Sequence, residues 1–161
     1  MVQHSRKQTE NNLKDYSAAE AGYKYNKNVL SRCKPGDLLR FPRKCYFHFV
    51  VYAGDGNVIH VTVERRGCVP INVQVKEESF WKVVGNRKAD ICNYKDDTHT
   101  AFSGPEIVER ARSRLGNFEY KLLKNNCEHF ATWCRYGEGT SKQVDGFMLG
   151  RRAARRLRRR S

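Results

Sequence analysis

Residues 45–63 read Cys45-Tyr46-Phe47-His48-Phe49-Val50-Val51-Tyr52-Ala53-Gly54-Asp55-Gly56-Asn57-Val58-Ile59-His60-Val61-Thr62-Val63. Two runs rich in aromatic and β-branched residues flank Gly54-Asp55-Gly56-Asn57, whose residue types suit a tight hairpin turn. The first run is apolar on both faces and is expected in the middle of a sheet. The second, over 58–63, returns antiparallel to it. Each strand carries one histidine near its middle. Pairing around the turn brings His48 and His60 within a few positions of each other, on one face when the register allows. Strands hold side chains rigidly, so two imidazoles placed this way are candidates for chemistry.

Working outward, Lys34-Pro35-Gly36-Asp37 is a turn signal before a strand over Leu38–Phe41, which Pro42 ends. Downstream, Glu64–Gly67 reads as a turn and Val69–Val75 as a partly alternating strand. Glu77–Val84 reads as a short helix or a junction of helix and strand, and 89–94 as a weak strand. Ser103-Gly104-Pro105-Glu106 starts a helix, with a cap, a proline in the first turn and an acid after it. Ile107, Val108, Ala111 and Leu115 supply its apolar face and Gly116 its end.

The second stretch that matters is Asn125-Asn126-Cys127-Glu128-His129-Phe130. Asparagine caps helices well, so Cys127 is expected in the first turn of a helix running to Tyr136 and stopping at Gly137. Unpaired amides and the positive end of the dipole favour a thiolate there. A thiolate attacks carbonyl carbon. With one imidazole to take the thiol proton and a second to orient it, the residues suggest Cys-His acyl transfer. His129, two residues on, faces away and is a poor base. Cys134 is expected in the core, and His4 and His99 are expected in solvent.

The chain has 161 residues and a formal net charge of +14, enough length for one domain with a core. Residues 151–160 hold seven arginines and no acid, half of the excess charge. Residues 1–28 are polar without a sustained period and are expected to form a disordered arm. Residues 29–144 form the expected domain and 145–161 a basic tail. No run reaches the roughly 18–20 apolar residues of a membrane span, and no signal peptide is evident. A cytoplasmic location with six free thiols is therefore expected. No C-x-x-C pair suggests zinc.

Pro35-Gly36-Asp37-Leu38, His48 to Gly56, Val58-Ile59-His60, Asn126 to Phe130 and Arg135-Tyr136-Gly137 together resemble the lecithin:retinol acyltransferase family. The resemblance is to its phospholipase A/acyltransferase branch, related to the NlpC/P60 peptidases, and spans roughly residues 31–144. It implies an α+β, circularly permuted papain-like fold, with an antiparallel sheet against helices and the nucleophile at a helix N-terminus. It implies Cys127 as nucleophile, His48 as general base and His60 as the member that orients the base. Tyr46 matches a tyrosine just before the base and is a candidate oxyanion support. No cofactor or metal is implied. The implied reaction passes an acyl chain from a glycerophospholipid through a Cys127 thioester to water or an amine. Two features depart from the branch. Phe49 stands where a tryptophan is usual, and Phe147-Met148-Leu149-Gly150 and the arginine run stand where a membrane helix is usual. Arg151, Arg152, Arg155, Arg156, Arg158, Arg159 and Arg160 suit an anionic membrane surface or nucleic acid, hence a peripheral-membrane or nuclear location. A monomer is expected. The alternative is a non-enzymatic regulatory protein of the same fold that binds RNA or a protein partner through this tail.

Overall fold

The structure, a computed structural model, describes residues 2–117 and 126–137. The basic tail and its seven arginines lie outside the described residues. The sheet has six strands in the order β5-β1-β2-β3-β4-β6, every neighbouring pair antiparallel. Four of them, β1 (Leu38–Pro42), β2 (Phe47–Gly54), β3 (Asn57–Arg66) and β4 (Val69–Ser79), form a meander. Two-residue strands β5 (Asp90–Ile91) and β6 (Gly116–Asn117) extend it at either edge.

The β2–β3 hairpin turns at Asp55 and Gly56, whose φ angles of 50° and 75° are those of a type I′ turn. Alternation along the strands separates two apolar layers. Phe49, Val51, Ile59 and Val61 pack with α3 (Gly104–Arg112) and α4 (Asn126–Tyr136) through Ile107, Ala111, Phe130 and Ala131. Val50, Tyr52 and Val58 pack on the other side with Val29 of α1 (Val2–Arg32) and Phe80 and Val84 of α2 (Phe80–Val84). The result is α+β, with helices against an antiparallel sheet.

Three expectations need correction. Residues 2–28, expected within a disordered arm over 1–28, are helical as part of α1. Its polarity is real, but its C-terminal end docks. Val29 is buried, Tyr23 stacks on Trp81, and the Asn26 amide donates to Arg87 O (2.7 Å) and accepts from Ala89 N–H (2.9 Å). One buried amide and one valine leave no periodic signature in so polar a run. Second, Glu77 and Glu78 belong to β4, and the helix starts only at Phe80, because β4 pairs with β3 in one register from Asn72 as far as Ser79. Third, α3 ends at Arg112, so Leu115 lies beyond its apolar face and is exposed. Its start is as expected, with the Ser103 hydroxyl accepting from Glu106 N–H.

Candidate active site

In antiparallel strands the N–H and C=O of successive residues point alternately to the two neighbours. Tyr52 exchanges both its groups with Gly36 and Asp37 on the β1 side, which turns Phe47 and Phe49 toward β3. The β2–β3 ladder stops at Val51–Ile59, whereas β3 stays paired with β4 as far as Arg66–Val69. The two central strands therefore part at the level of His48, and β2 offers backbone groups that β3 does not take up.

Cys127, the second residue of α4, fills that position. The Phe49 N–H donates to Cys127 Sγ (3.3 Å), and the thiol donates to the Phe47 carbonyl (3.5 Å). The sulfur thus bridges the two residues that flank His48. It is buried, 6% exposed. Burial pushes the thiol pKa up, while the N–H groups of Phe49, Cys127 and Glu128 pull it down. Burial is the larger effect, so the resting sulfur is a protonated thiol. This corrects the inference from the helix dipole alone, which favoured a thiolate.

His48 and His60 lie on the opposite face from Phe49. In the β2–β3 register His60 sits diagonally from His48, and the rings meet edge-on with Nε2 of His48 3.0 Å from Nδ1 of His60. Both are buried. Burial lowers the His48 pKa to about 3, helped by the His60 and Arg43 charges. Burial also lowers that of His60, against the pull of Glu78. Both rings are neutral at physiological pH. The second nitrogen of His60, Nε2, lies 3.0 Å from Glu78 Oε2, and the other Glu78 oxygen accepts from Lys82 Nζ.

Tyr46 is half-exposed, with its ring T-shaped against His48 at 6.3 Å between centroids; Phe41 closes the other side at 5.4 Å. The remaining candidates are placed elsewhere. Cys134 is fully buried, and His99 Nδ1 meets the Thr98 hydroxyl. Glu128, beside the thiol, is buried and accepts from Tyr94 Oη at 2.7 Å, which ties the start of α4 to the loop after β5. All six cysteines are free thiols.

Glu78 is the site residue that sequence reasoning missed. A signal was present: Val73 and Val75 alternate, and continuing that alternation puts Lys76 and Glu78 on the opposite face, the face of His60. Reading 77–84 as a helix obscured it.

A thiol seated on the backbone on both sides of His48, with the neutral His48 ring bonded to a second imidazole, offers residue types suited to general-base activation of a nucleophile. No helix among the described residues is long and apolar enough to cross a membrane. Residues 31–140 match the family model described as lecithin retinol acyltransferase. Phospholipase A and acyltransferase 1 of Mus musculus is 36% identical over 121 residues, covering 69% of this chain and 72% of that protein. Phospholipase A and acyltransferase 3 of Homo sapiens is 36% identical over 122 residues, covering 69% and 75%. Lecithin retinol acyltransferase of Rattus norvegicus is 31% identical over 138 residues, covering 70% of this chain and 58% of that protein.

Proposed function

The chain belongs to the lecithin retinol acyltransferase family, and from that premise we propose that it is a thiol-dependent acyl hydrolase and acyltransferase acting on glycerophospholipids. The observation that carries the proposal is the seating of the Cys127 sulfur across the backbone on both sides of His48, with His48 Nε2 already engaged by His60. That engagement leaves Nδ1 of His48 as the nitrogen assigned to the thiol. The reaction is assigned to residues 29–144, a circularly permuted papain-like arrangement with the nucleophile at the helix start.

In the first half-reaction the thiol proton passes to His48 Nδ1 as sulfur attacks the ester carbonyl carbon. Moving the proton in the same step suits a thiol that burial keeps protonated. The oxyanion forms beside the N–H groups of Cys127 and Glu128 in the first helical turn; Tyr46 is assigned to the same wall. Collapse breaks the ester C–O bond. His48 returns the proton to the departing alkoxide, releasing lysophospholipid and leaving an acyl thioester on Cys127. In the second half, water or a primary amine gives its proton to His48 and attacks the thioester carbonyl. The thiolate leaves and is reprotonated. Water makes the reaction a phospholipase A cleavage; an amine makes it an N-acylation.

Intact-protein mass spectrometry after brief incubation with phosphatidylcholine in mixed micelles tests this. Wild type should gain one acyl mass, absent from Cys127→Ala and His48→Ala. No adduct, together with no fatty-acid release above the Cys127→Ala background, rejects the assignment.

A further inference from the structure

We infer that Glu78 is a positioning residue that sets the direction of the hydrogen bond between the two histidines, so that His48 presents a bare Nδ1 to Cys127. The inference rests on the reaction proposed above and assigns a fourth member to its machinery.

Proton counting fixes the direction. Two neutral imidazoles joined Nε2 to Nδ1 can hydrogen-bond equally well in either direction, because each ring has one N–H and one lone pair. In one direction His48 donates from Nε2, and its Nδ1 is bare. In the other His48 accepts at Nε2, and its Nδ1 carries the hydrogen. Only the first can take a proton from the thiol. The rings alone do not choose between them.

Glu78 chooses. It stands on β4 two residues from Lys76, which lies opposite His60 in the β3–β4 register, and so meets His60 diagonally on one face. The Lys82 ammonium and the hydrogen bond from His60 hold its carboxyl below the usual range, so it is ionised. A carboxylate only accepts. At 3.0 Å from Glu78 Oε2, His60 Nε2 must therefore carry the hydrogen. His60, being neutral, is then bare at Nδ1. At 3.0 Å from that lone pair, His48 Nε2 must donate. His48, also neutral, is bare at Nδ1. Each step is forced by the one before, and the series starts at Glu78.

Lys82 makes the inference testable by a conservative change. In Glu78→Gln the amide oxygen is drawn to Lys82 Nζ, which can only donate. The amide nitrogen then faces His60 Nε2 and donates to it. Every hydrogen bond inward reverses, and His48 Nδ1 acquires the hydrogen. Removing the ammonium as well, in Glu78→Gln/Lys82→Ala, frees the amide to turn its oxygen toward His60 and restore the original direction. The other charged groups acting on the pair are Arg43 after β1 and Lys76 on β4, and neither is altered.

The experiment is 15N NMR of histidine-labelled full-length protein at pH 7, without substrate, on wild type and both variants. It is paired with the rate of acyl-enzyme formation from phosphatidylcholine. Wild type should show His48 Nδ1 with the shift of a bare nitrogen. Glu78→Gln should show it protonated and acylate about 10²- to 10⁴-fold more slowly, the range for losing a correctly placed base. The double variant should recover part of both. Unchanged tautomers in Glu78→Gln overturn the inference, as does an unchanged acylation rate. Should wild type form no acyl-enzyme, the proposed reaction fails, and the NMR comparison still decides whether Glu78 sets the tautomers.

Discussion

Acid should destabilise this protein in a window where its carboxylates are still silent, and His48 should be the main cause. An unfolded histidine has a pKa near 6.5, whereas burial holds His48 at about 3. Between those values the unfolded chain binds a proton that the folded chain refuses, so folding stability rises with pH. The contribution is fully present above about pH 6.5 and is lost as pH falls toward 3. From pH 7 to pH 5 the linkage integral for this one group amounts to about 2 kcal/mol, at about 1.4 kcal/mol for each pH unit of full difference. His48 is 7% exposed, so solvent screening takes little from that figure. His60 and His129, also lowered by burial, act in the same direction. Glu77, Glu78 and Asp96 are lowered carboxylates, and their contributions fade only below the ordinary carboxylate range. Urea denaturation at pH 7, 6 and 5 of wild type and His48→Gln isolates the residue. Wild type should lose about 2 kcal/mol more than the variant across the window. Parallel pH dependences for the two proteins would refute the reasoning, and with it the neutrality of the base.

Other consequences are open to direct measurement. Arg135 forks onto Asp96 at 3.0 and 2.8 Å and also donates to Gly36 O at 2.9 Å, tying α4 to both loops beneath it. Arg135→Lys cannot reproduce the fork and should cost about 2–3 kcal/mol by chemical denaturation. Gly36 has φ of 93°, and a Cβ there would lie 2.9 Å from Gly104 Cα. Gly36→Ala should therefore lower the melting temperature by several degrees, from a loss of about 2 kcal/mol. Among the thiols, exposed Cys45 and Cys68 should react with a disulfide reagent in the native protein; fully buried Cys134, its pKa pushed up by burial, should react only on unfolding, as peptide mapping would show.

The nearness of His48 and His60 was legible because Gly54 to Asn57 is strong turn chemistry, but their common face was not, since it depends on a register shift between Tyr52 and Gly54 that the turn residues do not announce. The shift sets Tyr52 opposite Val58, and from there parity puts residues 48 and 60 on one face. The start of the cysteine helix was legible for a similar local reason. What else was not legible depended on contacts distant in sequence. Docking of α1 turns on Asn26 and Val29 meeting residues some sixty positions later. The role of Glu78 needed β4 to run on past Val75, which its pairing with β3 dictates and its own charged sequence, Lys76-Glu77-Glu78, disguises. A strand carrying three charges in succession is an unfavoured reading until the buried imidazole it serves is known.

The same limit explains the error over the thiol's charge. Position at a helix start is a local feature and favours the anion; burial in the gap between β2 and β3 is a tertiary one and opposes it. Where the two compete, desolvation is the larger effect, since the dipole at a helix end contributes about 0.3–1 kcal/mol, up to ~2 in favourable geometry, and removing a charged group from water costs more. A thiolate stored in advance would need no particular tautomer beside it. A thiol kept neutral needs a neighbouring lone pair at the moment of attack, and in this fold that lone pair depends on which way two histidines share a hydrogen. The burial that withholds charge from Cys127 is thus what gives Glu78, out of contact with the sulfur, leverage over its reactivity. An exposed Cys127 would make Glu78 dispensable. The joint prediction is that alkylation of Cys127 by iodoacetamide, followed by peptide mass spectrometry at pH 7, slows in Glu78→Gln while that of exposed Cys45 does not. Equal slowing of both would point to a general effect of the substitution on the fold and remove the link between burial and tautomer.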